Sequence, residues 1–204
     1  MRDKDRAGKK EEEIIMGNIA AAVLAGPKIV SIDGKNRALT PVGGIPMINR
    51  VLTALEEKFD EIMIVAGDPK DYASYKKNYI VIGDIYRETG PLGGIHAALA
   101  KTTKRGVFFA PCDTPNLNSD VMKGMIDILM TGCFDCVVPV SEYGIEPLQA
   151  VYSRSVLPEL ERIISSGHLS VTDALGAFRC ANVRIHENDN LLLNVRRPVG
   201  FDNV

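Results

Sequence analysis

The chain has 204 residues, 46% hydrophobic and 25% charged, with a formal net charge of -2, a globular composition that excludes chain-wide disorder and collagen-like structure. Divided by about 150 residues per domain, the length predicts one domain with an extension at an end. The near-neutral charge speaks against nucleic acid or an anionic membrane as partner, and no apolar stretch approaches the ~20 residues of a membrane span.

Residues 1–16 read as a charged flexible tail, in which Arg2, Asp3, Lys4, Asp5 and Arg6 are followed by Lys9, Lys10, Glu11, Glu12 and Glu13 with little to bury. Residues 17–204 read as a single domain. Met16 immediately precedes it, so translation from Met1 and from Met16 both fit the sequence. With no signal-peptide core the protein is expected in the cytoplasm. Cys112, Cys133, Cys136 and Cys180 are too few and too scattered for a disulfide framework, which predicts reduced thiols.

From Ile19 the chain alternates apolar runs with helical periodicity. Ile19 to Leu24 is a continuous apolar run closed by Gly26-Pro27. Residues 46–55 place Met47, Val51, Leu52 and Leu55 on one helical face. Apolar runs follow at Ile62 to Ala66 and at 79–82, with a short polar helix between them. A helix is expected over 95–100, a buried strand over 107–110, and a helix over 117–130, where Val121, Met125, Ile128 and Leu129 recur at helical spacing. Strands at 136–140, 148–152 and 182–185, with a helix at 156–164, complete the pattern. Such alternation predicts an α/β fold: a three-layer, Rossmann-like domain whose mostly parallel sheet is covered on both faces. In such sheets ligands bind beyond the carboxyl ends of the strands, so the residues after each apolar run are the place to look for chemistry.

After the first run come Gly26-Pro27-Lys28, Gly34-Lys35-Asn36-Arg37-Ala38-Leu39 and Pro41-Val42-Gly43-Gly44. Glycine-exposed backbone N–H groups among cations suit a triphosphate, although neither a Walker A nor a dinucleotide fingerprint is present. After Asp84 lies Gly90-Pro91-Leu92-Gly93-Gly94, which leads into a helix. Those glycines would let a ligand approach the backbone at a helix N-terminus, or would serve only the geometry of a β-to-α turn. The apolar run Val107-Phe108-Phe109-Ala110 ends in Pro111-Cys112-Asp113-Thr114-Pro115. Asp113 is therefore placed either to hold a hard divalent cation such as Mg²⁺ or to cap the next helix. Cys133-Phe134-Asp135-Cys136 has the spacing of half a zinc or redox site but lacks a second pair. The three histidines share no spacing, and no nucleophile elbow points to a hydrolase triad.

Taken in order, these segments resemble the molybdenum cofactor guanylyltransferase family, the MobA-like branch of nucleotidyltransferases with a GT-A-type sheet. The resemblance spans about residues 19–201. It rests on Leu24-Ala25-Gly26, Gly34 to Leu39, Pro41 to Gly44, Gly90 to Gly94, Cys112-Asp113-Thr114-Pro115, Glu146-Pro147-Leu148-Gln149-Ala150-Val151-Tyr152 and Asn194-Val195-Arg196-Arg197-Pro198. The chain departs from the family pattern at Pro27, where a second glycine is usual, at Arg37, which stands for the catalytic lysine, and at Arg196, which stands for an asparagine. Near Gly67-Asp68 it lacks an asparagine often found after the second strand.

The resemblance implies transfer of GMP from GTP to molybdenum-molybdopterin, giving molybdopterin guanine dinucleotide and pyrophosphate, with Mg²⁺ as cofactor. It implies catalytic roles for Arg37, Asp113, Lys28 and Asn194, with Asp113 on the metal. Leu24, Ala25, Gly26, Lys35, Arg37, Asp84, Gly90, Pro91, Leu92, Gly93, Gly94 and Asp113 would line the nucleotide. GTP and a molybdopterin-type cofactor would be the substrates, and transient contacts with other molybdenum cofactor enzymes would follow. The departures keep two alternatives open: a related nucleotidyltransferase using CTP or another phosphorylated acceptor, and a non-catalytic GTP-binding homologue.

Overall fold

Six consecutive apolar residues suit a strand covered on both faces, and β1 (Ile19–Leu24) is buried at every position. The structure is a computed structural model that describes residues 17–26, 36–86 and 88–185. A 3₁₀ turn, Arg37–Leu39, leads into a small hairpin of β2 (Pro41–Val42) and β3 (Ile45–Pro46), and then into α1 (Met47–Glu56). The chain continues through β4 (Ile62–Ala66), a 3₁₀ segment Ala73–Lys77, β5 (Ile80–Gly83), α2 (Pro91–Lys101), β6 (Gly106–Pro111) and α3 (Ser119–Met130). It closes with β7 (Cys136–Ser141), β8 (Gly144–Ile145), β9 (Val151–Ser153), α4 (Leu157–Ser165), α5 (Val171–Leu175) and β10 (Cys180–Arg184).

The main sheet runs β10-β7-β9-β6-β1-β4-β5, with β8 added to β7. β1 is parallel to β4 and β6, β4 to β5, and β7 to β10, while β9 lies antiparallel between β6 and β7. Side chains alternate across the strands. Ile19, Ala21 and Val23 pack with Phe108 against Ile48, Leu52 and Leu55 of α1 and Met122, Met125 and Ile126 of α3. Ala20, Ala22 and Leu24 pack with Phe109 against Leu92, Ile95 and Leu99 of α2 and Leu160 and Ile163 of α4. The expected α/β architecture, mostly parallel and covered on both faces, is present. Among the described residues, no helix is long and apolar enough to cross a membrane.

Several local expectations change. Gly43 and Gly44, read as phosphate-loop glycines, form the turn of the β2–β3 hairpin with φ of 61° and 82°, the left-handed values that a two-residue type I′ turn requires. In α1 the buried face uses Ile48 with Val51, Leu52 and Leu55, and Met47 is only half-buried. The helix expected from Ile95 begins at Pro91, because proline at the first helical position loses no intrahelical hydrogen bond. The expectation of reduced thiols fails for one pair: parallel β7 and β10 place Cys136 and Cys180 as register partners, Cα atoms 4.9 Å apart, and the two are joined as a disulfide. A separation of 44 residues hid that pairing from any reading of spacing. Cys112, buried, and Cys133, exposed, remain free.

Candidate functional site

The strand order reverses between β1 and β6. From β1 the chain adds β4 and β5 on one side and then crosses back to lay β6 on the other. At such a switch point the loops leaving the two strands diverge and open a crevice. Leu24 and Pro111 end their strands in register, so the segments 24–26 and 111–114 meet at that crevice. The Cys112 N–H donates to the Leu24 carbonyl at 3.2 Å, and the Gly67 N–H to the Gly26 carbonyl at 3.2 Å, which ties the first loop to its neighbours on both sides.

Asp113 stands just beyond β6 and is buried. It does not cap the helix that follows. That position belongs to Asn118, whose Oδ1 accepts from the N–H groups of Asp120 at 2.9 Å and Val121 at 3.1 Å. The Asp113 carboxylate instead faces Arg37, with Oδ2 and Nη2 3.5 Å apart and the two side chains only 9% and 15% exposed. A carboxylate held beside a guanidinium at a strand end, released from any capping duty, is a group available for ligand chemistry.

Arg37 owes its place to its neighbour. Asn36 Oδ1 accepts from the Ala38 N–H at 3.1 Å and so caps the 3₁₀ turn that begins at Arg37. Asn36 Nδ2 in turn donates to the Tyr72 hydroxyl at 3.1 Å. Tyr72 is almost fully buried in the α1-side core, and burial pushes its phenol up to about 12, opposed by the Asn36 hydrogen bond. It therefore stays neutral and serves as a fixed anchor. Cys112 likewise stays a thiol: burial first, then the Asp113 charge, push it up to about 12 against the opposing pull of Arg37. It is not a nucleophile.

The far wall of the crevice comes from β5 and α2. Asp84 follows β5, and burial holds its carboxyl above the usual carboxylate range. Gly90 has φ 60° and ψ -150°, with open space where a Cβ would point. This is backbone that only glycine adopts without strain. Gly93 and Gly94 differ, being buried inside the first turns of α2. A Cβ at Gly94 would lie 3.2 Å from Leu24 Cδ2 and 3.3 Å from Val65 Cγ1. Gly94 thus seats α2 tightly on β1 and β4, while a Cβ at Gly93 would meet Thr89 and Tyr86 in the turn that precedes the helix. Among the described residues no side chain caps α2, so its leading N–H groups are available to an electronegative ligand.

The structure thus brings Leu24, Ala25, Gly26, Arg37 and Asp113 together at the switch point, with Asp84 and Gly90 to Gly94 on the β5–α2 side. Lys28, Lys35 and Asn194 lie outside the described residues, as do Pro27 and Arg196. Sequence reasoning missed Asn36 and Tyr72 as the support of Arg37. It also gave no role to Thr114 and Gln149, whose Oγ1 and Nε2 are buried near the end of β6 with no hydrogen-bond partner among the described residues. The signal for Gln149 was its segment, which carries part of the resemblance.

The Asp113 carboxylate is a hard oxygen group of the kind that Mg²⁺ prefers. Among the described residues no group of three His, Cys, Asp or Glu side chains is placed to hold a metal. That donor set fits Mg²⁺ in its usual mode, one or two carboxylates completed by substrate phosphates and water, and does not fit an all-protein cage.

Comparison with known proteins identifies the family. The sequence profile of the MobA-like NTP transferase domain matches residues 21–180. The molybdenum cofactor guanylyltransferase of Desulfosudis oleivorans is 33% identical over 168 residues, covering 82% of each chain. That of Vibrio parahaemolyticus is 27% identical, covering 86% of this chain and 89% of its own. In fold, the chain is similar to the crystal structure of molybdopterin-guanine dinucleotide biosynthesis protein A from Archaeoglobus fulgidus, with a TM-score of 0.73 and 23% identity over 88% of this chain and 93% of that one.

Proposed function

Because the chain belongs to the MobA-like NTP transferase family, we propose that it transfers GMP from GTP to molybdenum-molybdopterin, forming molybdopterin guanine dinucleotide and releasing pyrophosphate. The observation that carries the reading is the Arg37–Asp113 pair, buried at the β1/β6 switch point inside the segment that the family profile spans.

The reaction asks little acid–base chemistry of the protein. The acceptor's terminal phosphate is already an anion at neutral pH, so no strong base is needed to generate the nucleophile. One of its oxygens attacks the α-phosphorus of GTP in line, and the bond from the α-phosphorus to the bridging α–β oxygen breaks, its electron pair leaving with pyrophosphate. What the protein must supply is alignment and charge neutralisation. Arg37, held by Asn36, exchanges its contact with Asp113 for contacts with the triphosphate, where a planar guanidinium suits two phosphate oxygens at once. Asp113, relieved of Arg37, would hold Mg²⁺, which supplies Lewis-acid neutralisation of the phosphates. The segment 24–26 and the start of α2 flank the nucleotide. Lys28 and Lys35 would offset charge on the leaving pyrophosphate, and Asn194 would assist at the metal or the pterin phosphate. The setting is the cytoplasm, with product passed on through transient contacts with other molybdenum cofactor enzymes.

The test is pyrophosphate release with Mg²⁺ and each of GTP, CTP, ATP and UTP, with and without intact molybdopterin cofactor. Release that requires the acceptor and occurs with GTP alone is expected. Selective release with CTP would replace the assignment with a cytidylyltransferase. GTP binding without turnover would make the chain a non-catalytic homologue.

The support of Arg37 is tested by Asn36→Ala. Loss of the cap is expected to cost about 1 kcal/mol of stability, the usual scale for such a side chain, read from the urea midpoint. The same variant should lose about tenfold in turnover, because Arg37 is no longer aimed. An unchanged rate would show that the guanidinium finds its place without Asn36.

A further inference from the structure

At the opposite edge of the sheet from Asp113, around the amino ends of β6, β7 and β10 and the end of β9, lies a second cavity of about 490 Å³. Its volume falls in the ~300–1,000 Å³ range of small-ligand sites. β6 separates it from the proposed catalytic crevice by about 20 Å, six residues at roughly 3.3 Å each. Nothing in the guanylyl-transfer chemistry uses it.

The charge arrangement of this cavity is unusual for a chain with a net charge of -2. Gly106 of β6 and Ser153 of β9 are antiparallel register partners, so the next residues outward, Arg105 and Arg154, stand opposite one another. The Arg154 N–H donates to the Arg105 carbonyl at 2.8 Å, which locks the two backbones together. Like charges directly opposite on an antiparallel pair destabilise it. Neither guanidinium has a hydrogen-bond or ion-pair partner among the described residues, and both line the cavity.

The other charges there are already engaged. Asp135 is bound by the guanidinium of Arg179 through two bonds of 2.8 and 2.9 Å, and accepts the Arg179 N–H at 3.0 Å. That multidentate contact, with a smaller contribution from a Ser155 hydrogen bond, holds the Asp135 carboxyl below the usual carboxylate range, so it stays ionised and paired with Arg179. Lys104 is taken by Asp60 at 2.6 Å. The surplus is therefore two guanidiniums, flanked by the hydroxyls of Ser153 and Ser155 and by the ring of Phe134. Gly132, whose N–H closes the end of α3 on the Leu129 carbonyl at 3.0 Å, lines the same cavity beside Arg105.

We propose that this cavity is a binding site for a phosphate monoester, held between Arg105 and Arg154 with its organic part against Phe134. A phosphate monoester carries about -1.5 to -2 charges at neutral pH, which matches two guanidiniums, and its oxygens suit their fork geometry. The Ser153 and Ser155 hydroxyls, bonded to one another at 2.8 Å, border the same space. A nucleotide and a sugar phosphate share this chemistry, and the experiment separates them.

The test is a residue-resolved amide NMR titration of the full chain with 5′-AMP, glucose 6-phosphate and inorganic phosphate, and with adenosine as the uncharged control. Saturating shifts at Arg105, Gly132, Arg154 and Ser155 are expected with phosphate-bearing probes and not with adenosine. Tighter binding of 5′-AMP would identify a nucleotide site, and equal binding of glucose 6-phosphate a sugar-phosphate site; either supports the proposal. Arg105→Gln with Arg154→Gln should weaken binding at these residues at least about tenfold, the scale of losing charge-assisted hydrogen bonds. Guanylyl transfer by this double variant should be unchanged, since neither residue borders the crevice. A variant spectrum that keeps its dispersion shows that the fold is intact, and the single variants serve if it does not. Absence of saturation at these residues with every phosphate probe, or binding that survives the double substitution, would overturn the proposal. Both outcomes are independent of which nucleotide the catalytic crevice uses.

Discussion

Replacement of Asp113 by alanine is expected to lower acceptor-dependent pyrophosphate release about 10³-fold, or about 4 kcal/mol of transition-state stabilisation, while the protein remains folded. The size follows from losing a charge positioned for a phosphoryl transition state, where removing one preorganised electrostatic group costs about 10²–10³ in rate. Structural damage should be modest. The helix after Asp113 is capped by Asn118 and not by Asp113, so no helix end is opened. What remains is Arg37, 15% exposed and without its carboxylate, which can reach solvent along its stem. A melting-temperature loss of a few degrees, read by circular dichroism beside the rate, is the expected companion. Turnover within threefold of the parent would remove Asp113 from the mechanism. A collapse of the melting transition would show that the ion pair is mainly structural.

The parts of this molecule that were legible in the sequence are those where one local feature decides the outcome. A run such as Ile19 to Leu24 has no polar residue to offer solvent, so a buried central strand follows almost at once, and its Gly26-Pro27 punctuation marks the end. Asp113 stood out because a carboxylate at the end of an apolar strand has no core role. Whether it capped a helix depended on Asn118, five residues on, which competes for the same task and wins because it sits immediately before the helix. The disulfide between Cys136 and Cys180 depends on the register of two strands joined by the whole β8–α5 excursion, and spacing carries no trace of that. The same is true of Tyr72, which reaches Asn36 from 36 residues away. The glycines were the most ambiguous signal. Gly43 and Gly44 serve a hairpin, Gly90 a positive-φ turn, and Gly93 and Gly94 helix packing. All five look alike as letters, because glycine reports only that a Cβ is unwelcome and not what excludes it.

That distinction can be measured, and Gly93→Ala is expected to destabilise the protein by about 2 kcal/mol, within the usual cost of overpacking. Helix propensity alone predicts the reverse, since glycine in a helix interior costs about 1 kcal/mol relative to alanine. Sterics decide it. A Cβ at Gly93 would lie 2.1 Å from Thr89 Oγ1 and 2.9 Å from the Tyr86 carbonyl oxygen. The threonine hydroxyl is not free to swing aside, because it donates to that same Tyr86 carbonyl at 2.7 Å and Thr89 is buried. Moving it therefore breaks a buried hydrogen bond, and the carbonyl itself belongs to the backbone. The control is Gly124→Ala in α3, where nothing lies within 4 Å of the added carbon and propensity should prevail with a gain of about 0.5–1 kcal/mol. Opposite signs in urea melts of the two variants would establish that Gly93 is set by the packing of α2 against its preceding turn. Two stabilised variants would instead mean that Gly93 is kept for something other than the fold, the nucleotide site being the first candidate. Since α2 presents its uncapped N–H groups at the crevice, the packing that requires Gly93 is also what holds those donors in place.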